Sequence, residues 1–133
     1  MASALTRLDS DKFDLVVCRE DEFKTGATEV IENILDGPGT LYAVGVDASA
    51  NDDEVLYLKI WDAVSVDLGT DAPAYIFEIA SQSVVMIPFN LPSGESFSAG
   101  VSIGIVTSAA DSGDVGPTGT SAGAKLVAYG KKS

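Results

Sequence analysis

The chain has 133 residues, is 46% hydrophobic, and carries 20 acids against 8 bases for a net charge of −12. That length suits one domain able to bury roughly two-thirds of its unfolded surface, and the apolar content excludes wholesale disorder. The acidic balance argues against nucleic acid or an anionic membrane as partner, and no apolar run approaches the ~20 residues that span a bilayer.

Short alternating or apolar runs closed by Gly, Pro, Asn, Asp or Ser recur about eight times between Lys12 and Tyr129, and no long amphipathic helix interrupts them. This beat predicts an all-β protein, an antiparallel sandwich or barrel in a single domain over residues 1–133. Residues 1–11 are polar and read as a loose lead-in with no secretory signal, and a short helix within the first twenty residues is an option. The run 13–18 follows, ringed by Asp9, Asp11, Asp14, Glu20, Asp21 and Glu22. Its Cys18, the only cysteine, reads as a small buried hydrophobe and suits a reducing cytoplasm.

Residues 26–35 alternate imperfectly and end at Asp36-Gly37-Pro38-Gly39, a strong turn signal. In the run 40–47, Tyr42, Val44 and Val46 are expected on one face, with Leu41, Ala43 and Gly45 on the other. The clearest strand is 54–62: Leu56, Leu58 and Ile60 line the core side, and Val55, Tyr57, Lys59 and Trp61 the reverse. Residues 73–80 continue with Tyr75, Phe77 and Ile79 inward. Pairing these two strands with Ile60 opposite Phe77 and Leu58 opposite Ile79 sets Lys59 opposite Glu78 and Trp61 opposite Ile76. Residues 83–90 place Val85, Ile87 and Phe89 inward, with Pro88 marking an edge or a bulge. Residues 99–107 turn Val101, Ile103 and Ile105 to the core, and 124–129 form the last strand after a Gly- and Ser-rich loop.

Reactive constellations are scarce. Asp47, Asn51, Asp52, Asp53 and Glu54 could gather oxygens for calcium, but their spacing lacks the helix–loop–helix calcium pattern, and hydrated turn carboxylates are the plainer reading. The same holds for Asp111 and Asp114. Twenty acids give many accidental carboxylate pairs, and only Asp62 beside Trp61 hints at a glycosidase arrangement. Serine has no histidine to activate it, and the Gly-rich stretch 113–123 has no Gly-Lys-Ser/Thr. No enzyme activity, metal or cofactor is expected. Tyr57, Lys59 and Trp61, with Ile76 opposite, instead place aromatic and apolar residues on a face that should meet water. A subunit or partner interface is the favoured explanation; coverage by connections and sugar stacking on Trp61 are the alternatives.

Several segments carry a resemblance. They are Gly39-Thr40-Leu41-Tyr42-Ala43-Val44-Gly45-Val46, Leu56-Tyr57-Leu58-Lys59-Ile60-Trp61-Asp62, Gly69-Thr70-Asp71-Ala72-Pro73, Val84 to Phe89, Phe97 to Ile105, and Thr107-Ser108-Ala109-Ala110-Asp111. Together, over residues 39–110, they resemble small tailed-phage virion proteins. The resemblance implies a jelly-roll-like sandwich that decorates a capsid or belongs to a tail or fibre, and it implies no catalytic residues. On that basis a non-enzymatic capsid decoration (cement) protein is expected. It would be a homo-oligomer, a trimer by the symmetry of capsid lattices, bound to the major capsid protein in a virion assembled in the host cytoplasm. A tail- or fibre-associated carbohydrate-binding module is the alternative. The expected sheets group residues 54–62, 73–80, 26–35 and 99–107 in one layer, and 13–18, 124–129, 40–47 and 83–90 in the other.

Overall fold

A computed structural model describes residues 5–10, 13–23, 30–51, 54–113 and 124–133. Their strands are β1 (Leu5–Ser10), β2 (Phe13–Phe23), β3 (Val30–Ile31), β4 (Gly39–Asp47), β5 (Leu56–Asp62), β6 (Tyr75–Ile79), β7 (Val84–Pro88), β8 (Glu95–Phe97), β9 (Val101–Val106) and β10 (Ala124–Lys132). The described residues contain no helix. Eight of these strands have five residues or more; β3 and β8 are short.

The strands form two antiparallel sheets, one ordered β1-β2-β10-β4-β7 with β8 also on β4, the other β3-β9-β5-β6. Four of the pairings nest inside one another: β2 with β10, β3 with β9, β4 with β7, and β5 with β6. The chain is thus one long folded ribbon whose tip lies between β5 and β6, wrapped so that successive stretches fall in alternate layers. That winding is jelly-roll-like, and each of the eight expected strands lies in the layer assigned to it, with β1 and β8 added to the larger sheet.

The core lies between the layers because period-2 alternation sends one set of side chains inward from each. Leu56, Leu58, Ile60, Ile79, Val101, Ile103 and Ile105 meet Leu41, Val44, Val46, Leu126 and Ala128. Tyr75, Phe77, Phe89 and Phe97 close one part of it; Phe77 and Phe89 meet edge-on at 5.6 Å and Tyr75 and Phe89 at 5.8 Å. Such ring pairs add specific geometry to area burial.

Four expectations need correction. Residues 5–10, assigned to a loose lead-in, form β1 and pair with β2, so the first twenty residues are extended where described. The strand expected over 26–35 is confined to Val30–Ile31 within the described residues; 24–29 lie outside them. Tyr42 is an extra residue in β4, since Ala43 pairs Tyr129 while Leu41 pairs Gly130. This β-bulge flips the alternation, so Leu41 joins Val44 and Val46 in the core instead of opposing them. Finally, β5 and β6 pair two residues away from the expected register: Leu58 lies opposite Phe77, Tyr57 opposite Glu78 and Lys59 opposite Ile76. A slip of two keeps every side chain on its face, so hydrophobic alternation cannot choose between the two registers. A Lys59–Glu78 pairing was the attraction of the other, but Lys59 is engaged elsewhere.

Candidate functional site

On the β3-β9-β5-β6 sheet, the connections cover the outer face over the middle of β5 and β9. Lys59 is 0% exposed, and its ammonium donates to the carbonyl oxygens of Gly113, at 3.1 Å, and Ala110. Trp61 is 2% exposed, and its indole N–H donates to the Asp71 carbonyl at 2.9 Å. The Ser102 hydroxyl, also on this face, donates to the Ala63 carbonyl at 2.7 Å and accepts the Asn33 amide at 3.0 Å. The backbone of residues 63–71 and 110–113 therefore supplies the partners that water would otherwise supply. Of the four residues proposed from the sequence as an interface, Lys59 and Trp61 are enclosed by the chain itself. Tyr57 is half-buried and Ile76, at 36% exposure, reaches the surface.

At the end of β5, Asp62 pins the link before β9. Its carboxylate accepts the amides of Ala99 at 2.8 Å, Ser98 at 3.1 Å and Gly100 at 3.3 Å, and the Ser98 hydroxyl at 3.1 Å. Burial pushes the Asp62 carboxyl up, but the donated hydrogen bonds outweigh it and hold the group below its ordinary value. An acid committed in this way to four donors is an anchor, not a general acid beside Trp61.

The acidic loop after β4 brings together less than its composition promised. Asp47 accepts the Ser49 hydroxyl and amide, which lower its pKa against a burial penalty, with Lys125 adding a smaller lowering. The Asn51 amide donates to Glu54 at 3.1 Å while its buried Oδ1 has no hydrogen-bond donor among the described residues. Asp52, Asp53 and Asp114 lie outside the described residues, among which no three acids, cysteines or histidines gather as metal ligands.

On the six-stranded sheet, the described outer face of β10, β4 and β7 opens toward the β7 edge. Rows of cross-strand neighbours run Lys125–Asp47–Val84, Val127–Gly45–Met86 and Tyr129–Ala43–Pro88. Val84 is 68% exposed and Met86 57%, and a groove of about 370 Å³ runs between them, Gly45, Lys125 and Val127. Gly45 forms its floor: a Cβ there would stand 3.0 Å from Val127 Cγ1 and 3.2 Å from Met86 Cε. Sequence reasoning assigned Val85, Ile87 and Phe89 to the core and passed over Val84 and Met86. The available signal was an unbroken apolar run, Val84-Val85-Met86-Ile87, which makes both faces of β7 greasy.

Compared with protein-family models, curated proteins and solved structures, the chain matches none.

Proposed function

We propose that the protein is a non-enzymatic virion component of the phage decoration type, which docks on a major capsid protein lattice through the outer face of its six-stranded sheet. The observation that carries this reading is the apolar surface around Val84, Met86 and the Gly45 groove, on a sandwich whose other outer face is enclosed over Lys59, Trp61 and Ser102. A docking surface explains exposed apolar area that a solitary soluble protein has no use for. Burial at roughly 25 cal/mol per Å² across the seams between capsid subunits would then brace the shell. Because the site exists only on the assembled lattice, binding stabilises the assembled form by mass action. Homo-oligomerisation, with a trimer expected, belongs to the same proposal. A sugar platform on Trp61 loses its support, since the ring is enclosed and its N–H is used.

The test is co-sedimentation with expanded, empty heads of the phage that encodes the chain, alongside a glycan array. Saturable binding to heads with a silent array supports decoration. Failure to bind heads, or glycan binding in its place, overturns it. Sedimentation velocity of the free protein reads the oligomer.

A further inference from the structure

We infer that the free edge of β7 accepts an extended, cationic segment of the partner protein as an added strand. The inference rests on the docking reading above and names the chemistry of the partner. The backbone parity of β7 is fixed at both ends. The Phe89 amide donates to the Tyr42 carbonyl, and the Ser83 carbonyl accepts the Ala48 amide. The Ser83 carbonyl, both groups of Val85 and Ile87, and the Phe89 amide therefore turn toward β4, and Val84, Met86 and Pro88 turn theirs away. β7 ends its sheet, so among the described residues no strand meets that outward row. Two donors and three acceptors stand there beside exposed apolar side chains, the arrangement on which an extended peptide builds a further strand. Pro88 offers no donor, which limits the added strand to a short one.

Charge selects the occupant. Residues 25–124 hold fourteen acids and one base, and that base, Lys59, is fully buried. The other seven bases fall in 1–24 and 125–133, on or beside β1, β2 and β10. β10 lies two strands, roughly 9.6 Å, back from β7. Near the edge itself, Asp47 stands opposite Val84 on the outer face. A second copy bringing the same edge would set carboxylates against carboxylates, whereas a strand alternating apolar and basic residues answers both the greasy and the acidic features.

The probe is a seven-residue peptide alternating valine and lysine, compared with one alternating valine and glutamate. Amide hydrogen exchange of the full chain is the readout. The lysine peptide is expected to slow exchange at Val84 and Met86, and the glutamate peptide to bind roughly tenfold more weakly or worse. Met86→Pro deletes the outward donor without touching the β4 ladder and should abolish protection at Val84. Met86→Ala, which keeps the amide, should retain it. No protection by the lysine peptide, equal protection by both peptides, or protection that appears with protein concentration alone overturns the inference. Heads separate the two proposals. If the wild type and Met86→Pro, still folded, sediment equally with them, docking stands and the edge inference falls. If the wild type does not bind heads, the docking reading falls, and the peptide result alone decides the edge.

Discussion

At the scale of single residues, two polar side chains hold the connections in place, and each makes a testable claim. Asp62 joins the end of β5 to residues 98–100 through four donated hydrogen bonds. Its carboxyl sits below its ordinary value in the folded chain, so its contribution is present above pH about 4 and is lost as pH falls through the folded pKa. The group is largely exposed, so solvent screens it, and Asp62→Ala is expected to cost only about 1–2 kcal/mol at pH 7. Urea titrations at pH 7 and pH 3 check this: the gap between wild type and variant should narrow at the lower pH. Lys59 is the harsher case, a buried cation held by main-chain carbonyls. Lys59→Ala strands those carbonyls and leaves a void, so a loss of about 2–4 kcal/mol is expected, and Lys59→Met, which keeps the stem, should lose less. Equal midpoints for all three proteins in denaturant would refute the anchoring role. The oddity of Lys59 between two aromatics was visible in the chain, but its explanation was not. Residues more than fifty positions away supply the acceptors, and local patterning does not report which loop crosses which face.

Among the elements, the layer of each of the eight expected strands and most inward faces were readable because they follow from alternation and the nested winding, whereas β1 and β8 were not. Leu56, Leu58 and Ile60, Tyr75, Phe77 and Ile79, and Val101, Ile103 and Ile105 all point inward as expected. What escaped was whatever leaves alternation unchanged or interrupts it at one point. The two-residue slip between β5 and β6 is invisible to a period of two. The Tyr42 bulge adds one residue in a strand with no glycine or proline at that position to announce it. Pro88, by contrast, signalled an edge or a bulge, and β7 is an edge. The same parity yields a prediction for β7. Ile87 faces β4 with its amide and packs partly against the core, so Ile87→Pro breaks the ladder opposite Val44. A loss of roughly 2–4 kcal/mol is expected in chemical denaturation, far beyond that of Met86→Pro at the next position. If the two prolines cost the same, the backbone parity assigned to this edge is wrong.

For the molecule as a whole, charge and fold pull against each other. The net charge of −12 is concentrated: residues 25–124 carry −13 and the remainder +1. Folding brings those carboxylates together on one sandwich, and at low ionic strength their repulsion destabilises the compact state. The Debye length falls from roughly 30 Å at 0.01 M salt to 3 Å at 1 M, so added sodium chloride should raise the thermal midpoint by several degrees at pH 7. Acid acts through different groups. Asp62 and Asp47 are held below their ordinary values by the hydrogen bonds they accept, so the stability they contribute is present above pH about 4 and is lost as pH falls through their folded pKa values. The gain from salt at pH 7 and the loss in acid should therefore be separable: screening removes the repulsion, while the acid drop should remain in about 1 M salt, because hydrogen bonds to Asp62 do not depend on long-range fields. Calorimetric midpoints on a grid of pH and salt distinguish the two effects. A midpoint at pH 7 that does not rise with salt would mean that self-repulsion is not what limits this fold, and the case for a cationic partner at its acidic edge would weaken with it.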